Sequence, residues 1–186
     1  MRFGSSLLAL VAGTLVLSPL QAIGAVAAAP AAQPAVKPPL VAIIDSGIAR
    51  TPEIGQALVA EYDMAVKPGR TAFEPRYDHG TMVATILLRE AAQPIDIVSL
   101  RIDDLEGCPA GSNPPCQRKV GPIVDAIRKA TELGVSMINI SLNLKDDPRI
   151  IDAVKDATRH GITVVLAAGN DGFDHPGNLG MAKAGF

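Results

Sequence analysis

Four continuous apolar runs recur along this chain at the spacing of strands separated by helices: LVAIID at 40–45, IDIVSLRI at 95–102, VSMINISL at 135–142 and ITVVLAA at 162–168. A strand with one wet face alternates apolar and polar residues. These runs do not alternate, so they suit a sheet covered on both faces. A fifth and weaker candidate is LVAEYDM at 58–64. Between the runs lie segments with helical spacing. HGTMVATILLREAA at 79–92 sets Met82, Val83, Ile86, Leu87 and Glu90 on one helical period and stops before Pro94. GPIVDAIRKATELG at 121–134 opens with Pro122 in a first turn and closes on Gly134. DPRIIDAVKDATRHG at 147–161 repeats that grammar, with Asp147 as N-cap, Pro148 at the first turn and Gly161 after the last. The expected fold class is α/β, a three-layer, mostly parallel sheet with helices on both faces. Its core has to be aliphatic, since the chain has no Trp, two Tyr and four Phe.

The first residues follow a different logic. Arg2 precedes the uncharged stretch LLALVAGTLVL, and Ala25, Val26 and Ala27 supply a small-x-small site, so residues 1–27 read as a signal peptide. The alternative is an N-terminal membrane anchor: residues 7–29 are 23 uncharged positions, and a spanning helix needs roughly 20. Residues 28–39 are an Ala/Pro-rich linker that cannot build a core. That leaves 40–186 as the folded domain, in a protein secreted or periplasmic and not stably inserted in a membrane after signal cleavage. A formal charge of -2 gives no basic face for nucleic acid.

Three apolar segments end in one polar residue each. Asp45 closes the run at 40–45, His79 opens the helix at 79–92, and Asn170 follows VVLAAG. In a parallel sheet all three collect at the carboxyl edge, where open α/β sheets carry their sites. An acid, an imidazole and an amide can serve acyl transfer as orienter, general base and oxyanion donor. Each also has a plain reading: a turn aspartate, a helix-terminal surface histidine and a turn asparagine. His160, in the last turn of a helix, reads as a surface histidine.

Taken together, the segments resemble the subtilisin-like serine peptidases, the subtilases. AIIDSGI resembles the segment around that family's catalytic aspartate, DHGTMVATI the one around its histidine, and VVLAAGN the one carrying its oxyanion-hole asparagine. The order Asp then His is also the family's. The resemblance implies that Asp45 orients, His79 is the base and Asn170 binds the oxyanion. MINISL at 137–142 resembles the family's cleft strand, which implies a polypeptide substrate or peptide ligand lying extended along Ser141 and Asn143.

The chain also departs from the pattern. The family's serine stands in a Gly-Thr-Ser-small motif beyond the asparagine, and no serine follows Asn170. The expected domain is therefore C-terminally incomplete, truncated before the catalytic serine, and nearly inert alone. Met82 and Thr85 stand where the family shows a histidine and a glycine. Asn143 and Leu144 replace glycines, which is expected to narrow the groove near Ser141. No cofactor or metal is implied, and the family's calcium sites are not assignable. Cys108 and Cys116 lie in CPAGSNPPC and read most simply as one disulfide in an exported protein, two thiols without histidines being an incomplete zinc set.

Three functions follow. The first is a secreted serine endopeptidase that needs a complementing C-terminal fragment. The second is a non-catalytic exported module that binds or inhibits peptides. The third is a hydrolase that uses Asp45 and His79 with a bound water or with Ser46 or Ser141.

Overall fold

The computed structural model describes residues 37–112, 115–144 and 146–167. Its elements are β1 (Leu40–Asp45), β2 (Leu58–Asp63), α1 (His79–Glu90), β3 (Asp96–Arg101), α2 (Val120–Glu132), β4 (Met137–Ile140), α3 (Pro148–Arg159) and β5 (Thr163–Leu166). A single 3-10 turn at Gly55–Ala57 leads into β2. All five strands are parallel, in the order β2-β3-β1-β4-β5. The apolar runs of the sequence are these strands.

Strand alternation sends neighbouring residues to opposite faces. Ala42 and Ile44 of β1 join Val98 and Leu100 of β3, Ile138 and Ile140 of β4, and the apolar faces of α2 and α3. Val41 and Ile43 pack on the other face with Ile48, Ile54, Leu58 and Ala84. The sheet is thus the middle of three layers, with α2 and α3 below and α1 above. On α2 the buried positions are Ile123, Val124, Ala126, Ile127 and Ala130, and on α3 Ile150, Ala153, Val154 and Ala157. Both sets follow the three- and four-residue steps of one helix face. Asp147 caps α3 as expected, its carboxylate accepting the Arg149 N–H at 2.9 Å, with Pro148 at the first helical position.

Two expectations need correction. On α1 the buried residues are Gly80 and Ala84, with Val83, Leu87 and Leu88 packed beside them. Met82 and Ile86 lie on the opposite side and are 54% and 60% exposed. Gly80, Val83, Ala84, Leu87 and Leu88 are related by three- and four-residue steps and form the inward face, and the small Gly80 and Ala84 let that face approach the sheet. The run at 162–168 is also not covered on both faces: Thr163 and Val165 are exposed. Val165 pairs in register with Asn139, and Asn139 with Ile43, so all three point to the α1 side. There α1 covers β1, and among the described residues no helix covers β5.

The registers also align the strand ends. Asp45 of β1 stands beside Arg101 of β3, and Arg101 beside Asp63 of β2. Three charged residues therefore line up at the carboxyl edge of an otherwise aliphatic sheet.

Candidate active site

Asp45 is the last residue of β1 and its side chain is buried, 1% exposed. Its backbone carbonyl accepts from Ile102 N–H at 2.8 Å, which fixes the strand end against the residue after β3. The Ser46 N–H donates to Oδ1 at 2.7 Å. The remaining partner is His79, whose Nδ1 lies 3.0 Å from Oδ1 and 2.9 Å from Oδ2. Burial pushes the Asp45 carboxyl above its ordinary value, partly opposed by the Ser46 and His79 hydrogen bonds that favour the carboxylate.

His79 is the first residue of α1, and its side chain is 32% exposed. With a proton on Nδ1 the ring donates to the buried carboxylate, and Nε2 presents a lone pair. An acid behind and an open nitrogen in front is the arrangement of a general base held in one tautomer.

The two motifs lock together through three links. His79 meets Asp45, Gly80 N–H donates to Ser46 Oγ at 3.2 Å, and Ala49 N–H donates to Thr81 Oγ1 at 2.9 Å. Ser46 Oγ itself donates to the Tyr77 carbonyl at 3.1 Å. Its hydroxyl is thus committed to backbone on both sides of His79, and it acts as a pin rather than a nucleophile. Gly47 turns the chain away from the strand end with φ of +94°, a conformation that L side chains rarely adopt.

Glu61, on β2, extends the frame. Its Oε2 accepts from Ile48 N–H at 2.9 Å and from Ser99 Oγ at 2.7 Å, and its Oε1 from Phe73 N–H at 3.0 Å. One carboxylate thereby ties the turn after Asp45 to β3 and to the segment before His79. The sequence reading did not single out Glu61. The available signal was an acid in the middle of the candidate strand LVAEYDM, which a covered strand should not tolerate unless partnered.

Ser141 follows β4, where its Oγ accepts from Asn139 Nδ2 at 2.9 Å, and Asn143 is exposed. Leu144 does not narrow a groove at this point. It is 5% exposed and packs into the core beneath the sheet with α2 and α3, since burying a leucine side chain is worth about 1.5–3 kcal/mol. Asn170 lies outside the described residues. His160 caps the end of α3, exposed, with Nδ1 2.8 Å from the Asp156 carbonyl.

Cys108 and Cys116 form a disulfide, with Cα atoms 5.2 Å apart. It closes the loop after β3, where Asp104 N–H donates to the Cys116 carbonyl at 2.9 Å. Among the described residues no group of three or more His, Cys, Asp or Glu side chains is placed to hold a metal ion.

Comparison with known proteins bears on the family and the fold. The model of a family described as the subtilase family matches residues 37–183. No curated protein sequence matches the chain. Among solved structures, the epidermin leader peptide processing serine protease of Staphylococcus aureus is similar at 19% identity and a TM-score of 0.51, over 78% of this chain and 40% of that one. The A-subunit of the AB5 toxin from E. coli is similar at 19% identity and a TM-score of 0.51, over 73% of this chain and 45% of that one. The chain therefore spans less than half the length of these two structures, and at these identities the likeness is one of fold.

Proposed function

Because the chain belongs to the subtilase family, whose model covers residues 37–183, we propose that it supplies the acid–base half of a serine endopeptidase. Asp45 orients His79, His79 takes the proton of a serine hydroxyl, and Asn170 donates to the oxyanion. The observation that carries this reading is the placement of His79 Nδ1 at 2.9 Å from a buried carboxylate.

The serine comes from a complementing C-terminal fragment. Among the described residues the hydroxyl nearest the pair in the chain, that of Ser46, is bound to the Tyr77 carbonyl and to Gly80 N–H. The exposed Met82 and Ile86, one turn apart on α1, suit such a fragment, because an apolar segment placed there would remove from water two side chains that now face it. A polypeptide substrate would lie extended beside Ser141 and Asn143. No nucleic acid, cofactor or metal enters this reading.

Residues 1–27 act as a signal peptide and 28–39 as a linker to the catalytic domain. The disulfide supports an exported, oxidising location. No helix of the described residues is long and apolar enough to cross a membrane.

A second reading is favoured by the Ser46 hydroxyl, which is engaged by the Tyr77 carbonyl and Gly80 N–H beside the pair: the fold can instead serve as a non-catalytic peptide-binding or inhibitory module. The full chain, alone and mixed with a polypeptide carrying a Gly-Thr-Ser-small helix motif, separates the two when treated with a serine-directed phosphonate. The endopeptidase reading expects no labelling alone and labelling of the added serine that disappears with His79→Ala. Peptide binding without labelling in any mixture would favour the second reading.

A further inference from the structure

Residues 64–78 connect β2 to α1 without forming a helix or strand, and their immediate successor is His79. An irregular connector of this length does not fix its end unless side chains pin it. Arg70, inside it, makes a fork between two acids. Its Nε and Nη2 donate to Asp63 at 2.7 and 3.1 Å, while Nη1 donates to Asp103 Oδ2 at 3.0 Å and Nη2 to the Asp103 carbonyl at 3.1 Å.

Asp103 has a second arginine. Its Oδ1 accepts from Arg101 Nε at 2.9 Å, and Arg101 Nη1 donates to the Glu74 carbonyl at 3.1 Å. Each oxygen of one carboxylate therefore holds a different guanidinium, and each guanidinium grips the connector. Arg101 bears on the acid's side as well: a Cβ at Gly47 would stand 3.0 Å from its Cδ, so the arginine stem lies against the turn that follows Asp45.

The Asp103 side chain is fully buried, and those of Arg101, Asp63 and Arg70 are 4%, 5% and 18% exposed. Burial raises Asp63, but the Arg70 hydrogen bonds outweigh it and hold the carboxyl below its ordinary value. Apolar residues of similar volume would stabilise a sheet edge as well as buried ions do, because desolvation offsets most of the Coulomb attraction. What apolar residues would not do is fix direction. Directed arginine hydrogen bonds do that on the connector leading to His79, with Arg70 bidentate on Asp63, while the Arg101 stem lies against the turn after Asp45.

We propose that Asp103 is a positioning residue for the Asp45–His79 pair, acting through its bridge between Arg70 and Arg101 on the 64–78 connector and the turn at Gly47. The proposal rests on the reading of that pair as an orienter and base.

The test is proton NMR of the full chain labelled with 15N at histidine. A proton held between Nδ1 and a buried carboxylate resonates far downfield of a free imidazole proton. Wild type is expected to show such a signal, assigned by its loss in His79→Ala. In Asp103→Asn and in Arg70→Gln the signal is expected to vanish while circular dichroism and cooperative unfolding persist. Arg70 is partly exposed, so Arg70→Gln decides the matter if Asp103→Asn does not fold. A signal retained at its wild-type position in a folded Arg70→Gln would overturn the proposal and leave the pair intact. A wild type without the signal would overturn the reading of the pair itself, and the positioning role with it.

Discussion

Gly80 packs against the carbonyl oxygen of Gly47 so closely that a Cβ on Gly80 would overlap it, and would stand 3.2 Å from Asp45 Cβ and Oδ1. The first turn of α1 and the turn after β1 are thus in backbone contact, and that contact is what brings His79 to Asp45. Gly80→Ala is expected to force the two turns apart, at a cost of about 1–3 kcal/mol, as overpacking of a filled site typically does. Urea unfolding of wild type and variant measures it, and equal midpoints would show that the contact yields freely.

Asp45 has an unusual relation to pH. Burial raises its carboxyl above the ordinary 3.8, so the folded chain holds that proton more tightly than the unfolded chain does. Such a group contributes stability that is fully present below 3.8 and lost as pH rises through the raised value. Asp45→Asn, which carries no charge to desolvate, is expected to melt above wild type near neutral pH. The gap is expected to close as pH falls toward about 4. A wild type that melts above the variant at neutral pH would contradict the sign.

The disulfide closes a short loop, its cysteines standing at a sequence separation of 8. Loop-closure entropy for a ring of that size puts its loss at about 2–3 kcal/mol. Denaturant unfolding of the double variant Cys108→Ser, Cys116→Ser, compared with wild type under oxidising conditions, is expected to show a destabilisation of that order.

Met82 and Ile86 stand in solvent on α1. Replacing either by Glu is expected to change stability by less than about 0.5 kcal/mol, as exposed substitutions usually do. The same variants are expected to abolish phosphonate labelling in mixtures with a serine-bearing fragment, since a charge there opposes an apolar partner. Labelling at the wild-type level would place the fragment's contact elsewhere.

The elements of the fold were legible because each rests on local pattern. Strand candidates at 40–45, 95–102, 135–142 and 162–168 contain the observed β1, β3, β4 and β5, and Asp147-Pro148 marks the start of α3 as capping chemistry requires. The frame around the pair was not legible in that way. Glu61 meets Ser99 across 38 positions, and Arg70 meets Asp103 across 33. Periodicity says nothing about partners so far apart. It also could not separate Met82 and Ile86 from Val83 and Leu87, because the sequence shows an apolar cluster and the sheet decides which side of it is pressed inward.

The interlock of 45–49 with 79–81 bears on how this chain can change. Asp45 with His79, Ser46 with Gly80 and Ala49 with Thr81 are pairs joined across more than thirty positions. Substitutions in contact do not add, so the effect of a change in one segment depends on what the other holds. A single replacement in either segment is felt by the other, where a matched double replacement need not be. Asp45 and His79 therefore behave as one coupled unit, held by the backbone and side-chain contacts of the two segments around them.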